Sequence, residues 1–169
     1  MTEKLQSGRI TIQRHAPVGG VPGPYDGWYM TVLLVPLVPA RGDQQSFALK
    51  AALTPKRGQA AELYIDVVSE KSHQITCRIY AIVNKINVYL SPENTTGAYA
   101  DAIFTHSTME TLTLRRGSVG EGNVTYFIEQ DSPDELGYIL GQKLKEPKEL
   151  EFQASDQDSG EERWAIENV

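Results

Sequence analysis

One cysteine, three histidines and a deficit of positive charge leave this 169-residue chain without most ready-made chemistries. With Cys77 alone, no disulfide can close within the chain, so stability has to come from a buried core. Cys77 lies in the apolar run ITCRIYAIV, which predicts a buried, inert thiol. His15, His73 and His106 are scattered, with no zinc spacing among them. No glycine run follows a strand and opens a helix to cradle phosphate. The expectation is no enzyme activity, no metal and no cofactor. The acidic stretch SDQDSGEE, from Ser155 to Glu162, lacks the central glycine of a calcium loop and is read as a solvated hairpin tip.

Other absences bound the partners and the compartment. A formal net charge of −6 is the wrong sign for nucleic acid and points to proteins or neutral sugars instead. No apolar run reaches the length of a membrane span, and none follows the polar opening MTEKLQSGR as a signal peptide would. That predicts a cytoplasmic address with no membrane partner. In such a chain the sequons Asn94-Thr95-Thr96 and Asn123-Val124-Thr125 are chance occurrences.

What the chain does contain is strands. RITIQR, YMTVLLV, SFALKAAL, ELYIDVV, QITCRIYAIV, INVYLS, METLTLRR, VTYFIEQ, GYILG, LEFQA and RWAIENV are short and rich in β-branched or aromatic residues, with turn formers between most of them. No segment carries a sustained helical stripe. The last third runs through four strands and closes on Trp164-x-Ile166. The first third opens on Ile10-x-Ile12 and closes on Phe47-x-Leu49, and the second opens on Leu63-x-Ile65 and closes on Leu112-x-Leu114. Three such units, at approximately 8–58, 59–120 and 121–169, predict a single β-trefoil domain over 1–169: a closed six-stranded barrel with six strands forming a hairpin cap. Ile10, Ile12, Phe47, Leu49, Tyr64, Leu112, Leu114, Phe127, Trp164 and Ile166 are then the expected barrel core.

One connection stands out. HAPVGGVPGPYDGW, from His15 to Trp28, holds four glycines and three prolines in fourteen residues between two strands. Pro17, Pro22 and Pro24 restrict the backbone and lower the entropy lost on docking, while Gly19, Gly20 and Gly23 allow a partner close to the main chain. A protease-blocking loop has those requirements, although a tolerated surface excursion has the same composition.

LQSGRITIQ, ETLTLRR followed by VTYFIEQ, and EERWAIENV together resemble the fungal β-trefoil serine protease inhibitors of the cospin type, as does the proline-spaced VLLVPLVP. PVGGVPGPY followed at a distance by QQSFAL is similar to the mycocypins, mushroom inhibitors of papain-like cysteine proteases, whose first-loop Gly-Gly is matched by Gly19 and Gly20. The first resemblance implies a monomeric defence protein that binds a serine endopeptidase one to one. The second implies a cysteine protease as target. Cospin-type trypsin inhibitors present a basic residue between the second and third strands, but this chain has no Lys or Arg between Arg14 and Arg41. The loop offers Tyr25 and Trp28 for a chymotrypsin-like pocket, or Gly19 and Gly20 to lie across a cysteine protease cleft, with Pro22 and Pro24 as stiffeners. Basic alternatives are Arg41 in PARGDQ and Lys56 with Arg57 in LTPKRGQ, each in an expected turn. A β-trefoil lectin or carbohydrate-binding module is a further reading. The Gln-x-Trp pattern of ricin-type lectins is missing, however, and the closing position reads Arg163-Trp164.

Overall fold

The computed structural model describes residues 5–15, 23–36, 47–72, 74–93, 99–117, 124–130, 138–143, 145–154 and 163–169. Twelve strands cover most of them: β1 (Gly8–His15), β2 (Tyr29–Pro36), β3 (Phe47–Thr54), β4 (Leu63–Lys71), β5 (Gln74–Val83), β6 (Ile86–Glu93), β7 (Tyr99–Thr105), β8 (Leu112–Arg116), β9 (Tyr126–Gln130), β10 (Tyr138–Gln142), β11 (Leu150–Ala154) and β12 (Arg163–Asn168). The one helical element among the described residues is a 3-10 turn at Arg57–Gln59. Eleven of the strands match the expected segments. The other, β7, carries the unpromising sequence YADAIFT.

All the pairings are antiparallel, and they close on themselves. The circuit runs β1–β2–β3–β7–β11–β10–β9–β8–β5–β4 and back to β1. The two remaining strands bridge across it: β6 pairs with β5 and β7, and β12 pairs with β1 and β9. Through β12, the strands β1, β12, β9, β8, β5 and β4 also form a shorter closed circuit. The expected β-trefoil, with a six-stranded barrel and a separate hairpin cap, is therefore corrected to a closed ten-stranded antiparallel barrel with two further strands. The physical reason is hydrogen bonding. β2, β5, β10 and β11, which lie between the opening and closing strands of the three expected units and so fell to the cap, spend their backbone groups on the wall itself, and the closure removes the free edges that a sheet would expose.

Strict alternation builds the core. On β5, Ile75, Cys77, Ile79 and Ala81 are buried while the residues between them face outward. Trp164, Phe152, Ile12, Met30, Leu63, Ile65, Ile79, Leu90, Leu112, Leu114, Ile128 and Leu140 are the largest fully buried side chains. Each removes apolar area worth roughly 1.5–3 kcal/mol from water. Trp164 also donates its indole N–H to the Leu140 carbonyl at 3.4 Å.

Of the expected core, Ile10, Ile12, Leu112, Leu114, Phe127, Trp164 and Ile166 are buried and Leu49 is half-buried. Two residues are corrected. Tyr64 alternates with Leu63 and Ile65, so its ring faces outward and stacks on Tyr80 at 5.3 Å. Phe47 is 48% exposed because it pairs with Pro36 at the far end of the β2–β3 hairpin, beyond the packed part of the wall. Asn84 and Lys85, with φ of 50° and 64°, form the two-residue turn that joins β5 to β6.

A charge cluster ties the later strands to β3. Lys143 lies 2.8 Å from Asp101 on β7 and 3.2 Å from Glu149, and Lys50 on β3 lies 3.3 Å from Glu149. Burial pushes the Glu149 carboxyl up, but hydrogen bonds from Glu146, Lys143 and Lys50 outweigh it and hold the group below its ordinary value. Exposed Glu146 shifts the other way, because its hydrogen bond with Glu149 favours the protonated form.

Candidate functional site

The Gly/Pro-rich connection joins the end of β1 to the start of β2. Residues 16–22, and with them Gly19, Gly20 and Pro22, lie outside the described residues, as does Arg41. The returning stem, Gly23–Trp28, is described, and it is a compact turn. The Asp26 N–H donates to the Gly23 carbonyl at 3.3 Å, and the Trp28 N–H to the Tyr25 carbonyl at 3.1 Å. Gly27 has φ of +86°, a conformation that a side chain would strain.

This turn is cross-linked to β1. The Arg14 N–H donates to the Trp28 carbonyl and the Gly27 N–H to the Arg14 carbonyl, both at 2.8 Å. The Gln13 side-chain amide adds a bond to the Gly27 carbonyl at 2.8 Å. The Arg14 guanidinium pairs with the Asp26 carboxylate, and the Gly23 N–H donates to the same carboxylate. Both charged side chains are largely shielded, at 10% and 15% exposure, so water screens the pair less than it would a surface salt bridge.

The aromatic candidates take part in this frame. Tyr25 and Trp28 meet edge to face with ring centroids 4.8 Å apart, and both pack half-buried against the core. Lys148 sits over the Trp28 ring at 5.9 Å. Its backbone carbonyl accepts from the Leu53 N–H at 2.7 Å, which ties the turn's surroundings to β3. Pro24 is exposed at the tip. Sequence reasoning singled out the two aromatics and missed Arg14 and Asp26. The Asp-Gly dipeptide was a turn signal that could have pointed to Asp26, whereas nothing in the sequence marked Arg14 as its partner.

The basic candidates lie on the next connection. Lys56 and Arg57 are exposed between β3 and β4, and neither side chain forms an ion pair among the described residues. Lys56 is extended, with φ of −114° and ψ of 127°, and the 3-10 turn follows it. The Gln59 N–H donates to the Lys56 carbonyl at 3.0 Å and the Ala60 N–H to the Arg57 carbonyl at 3.1 Å. The Ala61 N–H reaches across to the Thr31 hydroxyl on β2 at 2.8 Å. The two connections start from one rung of the wall: Tyr29, which follows Trp28, pairs with Thr54, which precedes Pro55. Arg57 also borders a small cleft of about 40 Å³ with Arg9, Tyr29 and Glu62.

Elsewhere the chemistry is sparse. Cys77 is buried, and desolvation followed by the nearby Asp66 charge pushes its thiol up to about 12. No group of three or more His, Cys, Asp or Glu among the described residues is placed to hold a metal ion. His73, the Arg41-Gly42-Asp43 triplet and the acidic stretch 155–162 lie outside the described residues. Among the described residues, no helix is long and apolar enough to cross a membrane. In comparisons with known proteins, no family model and no curated protein matches the chain.

Proposed function

We propose that the protein is a proteinaceous inhibitor of a serine endopeptidase, binding one to one and presenting the connection between β1 and β2 from a rigid barrel. The observation that carries this reading is the cross-linked stem. An inhibitory loop has to keep its shape when a protease engages it, because a rigid loop loses little conformational freedom on docking and resists rearrangement afterwards. Two backbone hydrogen bonds, the Gln13 amide and the shielded Arg14–Asp26 pair supply that stiffness where the connection re-enters the wall. Tyr25 and Trp28 then serve mainly to brace the stem, and the protease-facing surface is Pro24 with the preceding Gly/Pro segment that includes Gly19, Gly20 and Pro22.

The resemblance to cospin-type fungal inhibitors supports the serine class. The Gly19-Gly20 pair supports the alternative, a mycocypin-like wedge of backbone over the catalytic pair of a papain-like protease. The lectin reading loses ground because Trp164, the one tryptophan near a ricin-type position, is fully buried and offers no ring face to a sugar.

Titrating chymotrypsin, subtilisin, trypsin and papain with the purified protein tests the proposal. Inhibition of chymotrypsin or subtilisin at micromolar concentration or below, lost in Gly19→Glu, is the expected outcome. Inhibition confined to papain would move the target to the cysteine class. No inhibition of any of the four would overturn the inhibitor reading.

A further inference from the structure

We infer that the Lys56–Arg57 turn is a second protease-facing element, directed at a serine protease whose specificity pocket is acidic, and that it plugs that pocket without being cut. The inference rests on the inhibitor reading and adds a site to it. Three observations carry it. The first is charge: in a chain of net charge −6, two adjacent basic side chains stand exposed with no ion pair among the described residues, so an acidic pocket competes for them only with water. The second is rigidity. The turn is held by its two internal backbone bonds and by the Ala61 bond to Thr31, and its base is the same Tyr29–Thr54 rung that supports the β1–β2 stem.

The third observation separates this turn from a substrate. A bond is cleaved when its carbonyl enters the oxyanion hole from an extended backbone. Here the Lys56 and Arg57 carbonyls are turned inward to accept from Gln59 and Ala60, and the backbone from Arg57 onward is coiled into a 3-10 turn. Presenting either carbonyl to a catalytic serine would require breaking those bonds and unwinding the turn. The side chains can enter an acidic pocket while the peptide bonds stay out of reach, so no acyl-enzyme forms.

Trypsin is the probe for the test, with the full-length protein and the double substitution Lys56→Ala with Arg57→Ala. Because both side chains are exposed, the variant should unfold at the wild-type temperature, which a melting curve checks. The expected result is trypsin inhibition by the wild type, weakened on the order of 100-fold in the double variant, the loss typical when an arginine anchor is removed. Gly19→Glu should keep trypsin inhibition while losing that of the other enzymes. Gel analysis after long incubation should show the wild-type chain intact between residues 56 and 58. Unchanged trypsin inhibition in the double variant, or a chain cut at that turn, would overturn the inference. Trypsin left uninhibited while chymotrypsin, subtilisin or papain is blocked would remove this second site and leave the first standing; failure against all four enzymes would remove both.

Discussion

Cys77 stands in the middle of β5 with its side chain turned inward, and the barrel around it decides its chemistry. Desolvation raises the thiol to about 12 against an ordinary 9.0, so the folded protein keeps the proton that the unfolded chain releases first. Linkage gives the sign: between those two values the native state binds more protons than the unfolded state, so stability falls as pH rises. The Cys77 contribution to the slope should be at most about 1.4 kcal/mol per pH unit, setting in as the unfolded thiol titrates around 9.0. Urea unfolding from pH 8 to 11 should show this decline, and Cys77→Ala should make it shallower although the cavity lowers stability at neutral pH. The part that remains is due to Lys143, where desolvation is outweighed by Asp101 and Glu149, which hold the group above its ordinary value. A thiol reagent should label Cys77 only on unfolding. Rapid labelling of the native protein would contradict the burial argument.

At the scale of the element, the stem between β1 and β2 depends on one charged pair within a set of backbone bonds. Asp26→Asn keeps the size of the side chain and removes the charge that faces Arg14, whose guanidinium is largely shielded from water. The substitution should cost about 2 kcal/mol, the range for a charge-assisted bond in a partly buried setting. Denaturant unfolding measures that loss. Amide hydrogen exchange of Arg14 and Gly27 should accelerate in the variant, because their bonds to the Trp28 and Arg14 carbonyls lose the clamp beside them. Weakened protease inhibition together with faster exchange is the expected pattern, since on the proposed reading a loosened stem has to be re-ordered by the partner. An Asp26→Asn protein with native stability and native exchange would remove the clamp from the argument.

At the scale of the molecule, one closed network of pairings makes the barrel a single cooperative unit. β1 pairs with β2 and β4 within the wall and with β12 across it, so strands from both ends of the sequence meet on β1. The two tryptophans report on different parts of that network: Trp164 from the core and Trp28 from the stem. Fluorescence of Trp28→Phe, which follows Trp164, and of Trp164→Phe, which follows Trp28, should each trace the same urea midpoint as that variant's far-ultraviolet circular dichroism. If the Trp28 signal changes well before the dichroism, the stem melts apart from the barrel and the rigid-frame argument fails.

The sequence by itself determined that the chain is all-β, where eleven of the strands run, and that Cys77 and the alternating Ile, Leu and Trp positions face inward. Period-2 alternation and β-branched runs are local properties, and a local reading recovers them. It missed β7 because the inward face of that strand is Ala100, Ala102 and Phe104, and small residues give hydropathy little contrast. Only crowding from β3, β6 and β11 makes that face an interior. The candidate site divides in the same way. Its Gly/Pro composition and the Lys56–Arg57 pair were legible, but the packing of Tyr25 and Trp28 and the meeting of Arg14 with Asp26 were not. Which strands close the wall was decided by tertiary structure alone. Antiparallel hydrogen bonds carry no side-chain code, so a strand's partners depend on how the whole network satisfies its backbone groups, and a six-stranded barrel with a detached cap reads the same as a ten-stranded wall until those bonds are drawn.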